Sequence, residues 1–393
     1  MVGALISNRA YSQGNIHLGP LKINRSFVER IEFDDNVFQV SGKGTTSDGQ
    51  REAKKSDLIN IFTTGLKLDL PVRGGGFIPG TEHHLGLDWH TDFINYRKYT
   101  SENQQNNYFI VSASFMFPRG LGIKMRDRYV DASSTAGGET DQIHKRKTQD
   151  VSITVNMPDY FRKFDAEISY RFKDHEFDER ALGDANRFDQ SFTLKIPYKI
   201  TPKTRIFPEY TYGFTEYDSK STAGAKSDFH YNTISAGAEW AATAKTTGIL
   251  KLGFSITEYD SQETPDVKTF VADLGVRIDL TSRMSMNINA GRDLTVSEFT
   301  AGSSSHETTS GDISISRRVW KELTVSAKAG YDKLVFHGSE RKDDVYKFGI
   351  SSRYVINKWM SANFKYSYKD KHVNVDTLAD RINKASIGIA INF

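Results

Sequence analysis

The stretch Phe164-Asp165-Ala166-Glu167-Ile168-Ser169-Tyr170-Arg171-Phe172-Lys173 decides the fold. Phe164, Ala166, Ile168, Tyr170 and Phe172 occupy every second position, and the polar residues fill the gaps. Strand side chains alternate between faces, so this segment is a strand with one oily and one wet side. Phe270, Ala272, Leu274, Val276 and Ile278 alternate with Asp273, Arg277 and Asp279 in the same way, as do Met286, Ile288 and Ala290 with Asn287 and Asn289.

Outward from that stretch the pattern repeats along the chain from Leu21. It predicts strands at 21–38, 57–72, 83–96, 107–117, 121–131, 147–157, 162–173, 186–198, 204–217, 229–241, 247–259, 266–280, 284–296, 307–318, 322–334, 343–354, 359–371 and 382–393. The total is about eighteen, or sixteen if the weak first segments merge. Short links such as Pro118-Arg119-Gly120, Thr281-Ser282-Arg283 and Val355-Ile356-Asn357-Lys358 take turns with longer polar links at 41–56, 132–146, 174–185 and 372–381. Tight periplasmic turns and longer external loops are the pattern of an outer-membrane barrel. The expected fold is therefore all-β, a transmembrane antiparallel barrel over 21–393 after an N-terminal segment 1–20. A sheet in hydrocarbon cannot leave its edges unpaired, so the first and last strands should pair. At this strand number the bore holds a water-filled channel unless something folds into it.

Composition agrees. Only 38 % of the residues are hydrophobic, and no window approaches the run a spanning helix needs. The chain has 25 Phe and 18 Tyr but 9 Pro, a strand-forming balance. Lys plus Arg number 52 against 49 Asp plus Glu, and the charges are dispersed, which argues against a nucleic-acid partner. With no Cys there are no disulfides, thiolate metal sites or thiol nucleophiles. Ala10-Tyr11-Ser12 has the small-x-small pattern of signal-peptide cleavage before Gln13, without a basic n-region, so residues 1–12 read as the tail of an export signal or as a frayed terminus.

Aromatic residues gather at segment ends. Phe117, Tyr198, Trp240, Trp320, Tyr354 and Trp359 lie near short turns, and Tyr96, Tyr129, Tyr217, Tyr259, Phe336 and Tyr368 near long loops, which predicts two interfacial girdles. At the carboxyl terminus Ile387, Ile389, Ile391 and Phe393 share one face, with Gly388 on the other. Ser386, Gly388, Ile391 and Phe393 resemble the sorting signal by which the barrel-assembly machinery recognises outer-membrane proteins.

With apolar residues facing outward, the inward set includes Arg30, Lys67, Asp88, Asp92, Lys173, Lys195, Glu209, Glu239, Lys251, Lys328 and Asp332. Two basic groups stand out: Lys124, Arg126 and Arg128 with Arg171 further along, and Lys347, Arg353, Lys365 and Lys369 on two neighbouring strands. They suit the tracking of an anionic polymer; the bland alternative is a wall on which they pair with facing Asp and Glu. His84, Asp88, His90 and Asp92 share a strand face, but lumen walls are polar anyway, and no metal or other cofactor is expected. No Gly-x-Ser-x-Gly elbow or phosphate-cradling loop occurs, and Arg73-Gly74-Gly75-Gly76 lacks the Lys-Ser/Thr continuation, so no catalytic residue and no enzyme is expected. Asp34, Asp35 and Asn36 form a small rim cluster suited to a divalent ion or saccharide hydroxyls, or simply a hydrated strand end.

Glu32-Phe33-Asp34-Asp35-Asn36-Val37-Phe38, Lys55-Ser56-Asp57-Leu58-Ile59 and Gly65-Leu66-Lys67-Leu68-Asp69-Leu70-Pro71 resemble the opening of an outer-membrane β-barrel porin family encoded with exopolysaccharide and capsule clusters. Phe117-Pro118-Arg119-Gly120-Leu121 and Arg126-Asp127-Arg128-Tyr129 fit the same pattern, although Thr64 stands where that family usually has Pro. The wording covers residues 30–130 and the architecture the whole chain. The resemblance implies an eighteen-stranded barrel in the bacterial outer membrane, of a Gram-negative cell. It would pass a secreted polysaccharide, with a periplasmic polysaccharide-export protein and an inner-membrane copolymerase as partners. A general or small-solute porin is the alternative, favoured if the 41–56 link folds inward to a constriction; a structural scaffold barrel is the third possibility.

Overall fold

The computed structural model describes residues 16–39, 54–73, 82–117, 120–135, 143–161, 163–178, 186–218, 228–243, 245–262, 264–296, 305–374 and 380–393. Its strands are β1 (Ile16–Leu18), β2 (Leu21–Asp34), β3 (Asp57–Arg73), β4 (Glu82–Tyr96), β5 (Gln104–Met116), β6 (Gly122–Thr135), β7 (Ile143–Phe161), β8 (Phe164–Phe177), β9 (Arg187–Lys195) and β10 (Tyr198–Thr201). They continue as β11 (Thr204–Tyr217), β12 (Phe229–Thr243), β13 (Thr246–Tyr259), β14 (Val267–Thr281), β15 (Met284–Val296), β16 (Ser305–Arg318), β17 (Leu323–Phe336), β18 (Lys342–Val355), β19 (Met360–Val373) and β20 (Asp380–Asn392). The expected segment 1–12 lies outside the described residues, as does most of the 41–56 link.

Neighbouring strands pair antiparallel, and β2 pairs with β20 from Ser26–Asn392 to Asp34–Lys384, which closes the sheet. Counting β9 and β10 as one interrupted stave, β2 to β20 make an eighteen-stranded barrel. The interruption falls at Ile196-Pro197, where the sequence pattern predicts one strand over 186–198. Proline has no N–H to give the ladder. The Pro197 carbonyl still accepts from the Asp165 N–H at 2.9 Å, and pairing resumes at Tyr198–Phe164. β1 folds back on the start of β2, Ile16 opposite Ile23.

The register keeps the two faces in phase around the wall. Ile168 stands opposite Leu194, Leu194 opposite Tyr210, Tyr210 opposite Ile234, Ile234 opposite Phe254 and Phe254 opposite Phe270. These residues are apolar yet open, Ile234 at 68 % and Phe254 at 67 % exposure, as a hydrocarbon-facing surface must be. On β8 the outward set Phe164 to Phe172 gives an apolar band of roughly 20 Å, from about 3.3 Å per residue and a tilt near 40°. The carboxyl terminus lies at the short-turn rim, where Phe393 exchanges backbone hydrogen bonds with Arg25 at 2.6 and 3.0 Å.

Two expectations need correction. β2 stops at Asp34 rather than residue 38, because Asp34 Oδ1 accepts the Asn36 N–H at 2.9 Å and turns the chain. Val37 is then buried with Ile59, Ile61 and Tyr96. The second aromatic girdle is only partly present. Tyr129 and Tyr368 share the outward phase, but Tyr96, Tyr217, Tyr259 and Phe336 take the inward phase and are 2–9 % exposed. Above the apolar band the outer surface meets water rather than lipid, so burial inside the rim stabilises these rings better. At the short-turn end Tyr354, Trp320 and Trp359 remain open at 47, 63 and 53 %.

Candidate functional site: the inner wall

Antiparallel pairing fixes which side chains adjoin on the inward face. Lys124, Arg126 and Arg128 project inward from β6, opposite Thr154, Ser152 and Asp150 of β7. Arg171 and Lys173 of β8 stand opposite Ser152 and Asp150. Arg171 makes a two-pronged ion pair with Asp150, Nε–Oδ1 2.8 Å and Nη2–Oδ2 2.5 Å. The next carboxylate along, Asp189, is held by His175 at 3.3 Å, Arg187 at 3.4 Å and the Thr215 hydroxyl at 2.8 Å. Among the described residues no carboxylate stands within 4 Å of Lys124, Arg126, Arg128 or Lys173. These four cations are left unmatched because Asp150 and Asp189, the acids set beside them, are engaged by other groups. Alternation alone puts Lys173 inward, but its missing partner shows only once the register is known.

The second basic group divides. Lys347 and Lys369 face each other across β18 and β19, Lys347 ion-paired with Asp332 and Lys369 with Asp380 at 2.9 Å. Arg353 and Lys365, nearer the short turns on the same strands, have no ion pair among the described residues. At both rims of the wall there are also matched charges. A cavity of about 660 Å³ at the short-turn end is lined by Lys199, Arg205, Glu239 and Arg277. Lys199 and Arg205 reach Asp165 at 3.2 and 3.5 Å, Arg205 also pairs with Glu239, and Arg277 meets Asp279 at 3.0 Å. At the long-loop rim Asp178 lies between Lys145 at 3.3 Å and Lys147 at 3.4 Å. Partial burial would raise its pKa, but the hydrogen bonds and charges of these lysines hold its carboxyl below the usual range.

Asp34, Asp35 and Asn36 reach across the barrel seam. Asp34 Oδ2 pairs with Lys384 Nζ at 2.6 Å; Asp35 accepts from the Asn383 N–H at 2.6 Å and its side-chain amide at 2.7 Å; Asn36 Nδ2 donates to the Arg381 carbonyl at 3.2 Å. The strand-face set on β4 is dispersed too. His84 pairs with Asp69, His90 lies 3.8 Å from Asp88, and Asp92 accepts from Thr63 at 2.5 Å. Among the described residues no three His, Cys, Asp or Glu side chains gather as a metal site.

The carboxyl-terminal residues lie on the same seam. Ser386 is inward and buried, and Ile391 stands opposite Phe27. Phe393 rests with its ring 5.8 Å from that of Phe27. Gly388 permits a close approach: a Cβ there would sit 2.7 Å from the Glu29 carbonyl oxygen.

A family model described as "Putative beta-barrel porin 2" matches residues 81–393. Among solved structures, the chain is similar to OccAB2 of Acinetobacter baumannii (TM-score 0.50, 10 % identity, covering 95 % of this chain and 98 % of that one). It is also similar to the FrpB iron transporter of Neisseria meningitidis (TM-score 0.51, 9 % identity, 95 % and 81 %) and to OccAB4 of Acinetobacter baumannii (0.49, 10 %, 94 % and 98 %). At such identities the likeness is one of fold. No curated protein sequence matches the chain.

Proposed function

Because the chain belongs to the putative β-barrel porin 2 family, an outer-membrane barrel of porin type, we propose that it is a water-filled diffusion channel for small hydrophilic anions. Eighteen strands leave room for an aqueous bore. The observation that carries the charge preference is the inward column Lys124, Arg126 and Arg128, without a carboxylate within 4 Å among the described residues. A pore selects ions by the charge that lines its narrow parts, and weak contacts at several sites let the passenger leave. The experiment is the reversal potential of the purified barrel in a planar bilayer under a KCl gradient. The wild type should favour chloride, and the Lys124→Glu, Arg126→Glu, Arg128→Glu variant should lose or invert that preference. No conductance in the wild type, or an unchanged potential in the variant, would refute the proposal.

Export of a secreted acidic polysaccharide is the second reading. It is favoured by the continuation of the basic column from Lys124 through Arg128 to Lys173, a track rather than a point. A periplasmic export protein at the short-turn rim belongs to this reading. Its test is the distribution of polysaccharide between medium and periplasm in a strain lacking the gene; normal secretion would remove it.

A further inference from the structure

One register row on the inner wall runs Ser114, Lys124, Thr154, Ser169, Thr193, Thr211 and Thr233, one residue from each of β5 to β9, β11 and β12. Apart from Lys124, every member is a hydroxyl. Thr154 and Ser169 are hydrogen-bonded at 3.0 Å, Thr193 and Thr211 at 2.9 Å, and Thr233 donates onward to Ser255 at 2.8 Å. Each pair consumes one donor and one acceptor and leaves the hydroxyls with further acceptor capacity. The row is inclined. Ser114 lies two residues before the short-turn end of β5, and Thr233 four residues after the long-loop end of β12. Strands about 4.8 Å apart and tilted near 40° raise such a row by about 3 Å per strand, roughly 20 Å in all.

The adjoining row reads Arg126, Ser152, Arg171, Ser191, Gly213 and Tyr231. The Tyr231 ring is laid over Gly213, where a Cβ would come within 2.3–2.5 Å of it, so the glycine seats an aromatic surface beside the hydroxyls. The row on the short-turn side is different in kind. It holds Asn156, Glu167, Lys195 and Glu209, with Lys195 paired to Glu239 and Glu209 to Lys251 at 3.0 Å. Unpaired cations, a rising line of hydroxyls and a seated ring therefore coincide on one sector of the wall.

We propose that this sector binds hydroxylated carboxylates, that is sugar acids or acidic saccharides, a substrate class that rests on the anion-channel reading. Lys124, Arg126, Arg128 and Lys173 attract the carboxylate. Thr154, Ser169, Thr193, Thr211 and Thr233 exchange hydrogen bonds with ring hydroxyls, and Tyr231 offers its face to the apolar side of a pyranose. The test compares galacturonate with cyclohexanecarboxylate, probes of like charge and size that differ in their hydroxyls, as blockers of single-channel current. Galacturonate should interrupt the wild-type current at about fivefold lower concentration, the factor one hydrogen bond supplies. Thr193→Val with Thr211→Val should abolish that preference in channels that still conduct. Should the double variant fail to insert, either single replacement should reduce the preference. Equal block by the two probes in the wild type, or a preference kept by the variants, overturns the substrate class and leaves the channel standing. A wild-type barrel without anion selectivity overturns the channel reading itself.

Discussion

Replacing Asp34 with Ala should loosen the barrel at its seam. The Asp34 side chain is 3 % exposed, its Oδ2 lies 2.6 Å from Lys384 Nζ on β20, and its Oδ1 accepts the Asn36 N–H at 2.9 Å. Hydrogen bonds to a charged group contribute about 1.5–3 kcal/mol each. Lys384 is 36 % exposed and regains water when its partner goes, so its loss falls at the lower end. The expected destabilisation is about 2–4 kcal/mol, below the ~3–5 kcal/mol of a pair broken where neither partner can be rehydrated. Pairing Asp34→Ala with Lys384→Ala in a double-mutant cycle should give a coupling of about 1–2 kcal/mol, between the values of an exposed and a buried pair. The assay is reversible denaturant unfolding in lipid vesicles followed by tryptophan fluorescence, with Trp359 near the seam as a reporter. A coupling below about 0.5 kcal/mol would refute the argument that the rim cluster clasps β2 to β20.

Asp343 is fully buried between Arg341, Nη2–Oδ2 2.6 Å, and Lys371, 3.7 Å. Asp343→Ala removes the charged acceptor that both cations share and should cost about 1.5–3 kcal/mol in the same unfolding assay, the contribution of a hydrogen bond to a charged group; a normal midpoint would refute that contribution. Deleting Phe393 removes its ring contact with Phe27 and both backbone hydrogen bonds to Arg25, so the yield of heat-modifiable barrel in the outer membrane should fall several-fold. Undiminished yield would separate the terminal residue from assembly.

The fold was legible because its signal repeats. Period-two alternation around Phe164–Lys173 identifies a strand, and its recurrence, with short and long links in turn, leaves closure as the way to satisfy the edges in lipid. The misreadings lie where a single residue competes with the repeat. Pro197 removes one ladder N–H and divides a stave, which alternation does not register because the phase continues across it. Asp34 turns the chain through its own side chain, so the apolar Val37 and Phe38, which prolong the strand pattern, instead fold over Ile59 and Ile61. Tyr96 and Tyr217 stand at strand ends like girdle aromatics, but only the phase relative to Phe93 and Tyr212 shows that they point inward.

The wall was legible in one dimension only. Alternation places Lys124, Arg126 and Arg128 on the inward face, but whether a cation is matched depends on which residues the register sets beside it. Asp150 adjoins both Arg128 and Lys173 and is taken by Arg171; Asp189 adjoins Lys173 and is taken by His175, Arg187 and Thr215. The excess charge on this sector is thus a property of strand pairing, not of composition, in which acids and bases nearly balance. The same holds for the hydroxyl row. Thr154, Ser169, Thr193 and Thr211 belong to four strands with no common spacing in the chain, and shear alone lines them up and makes the line climb the bore. A one-residue slip between β8 and β9 would bring Phe192 or Leu194 into that line and turn Thr193 toward lipid. The apolar band that holds the barrel in the membrane therefore also fixes the polar track within it.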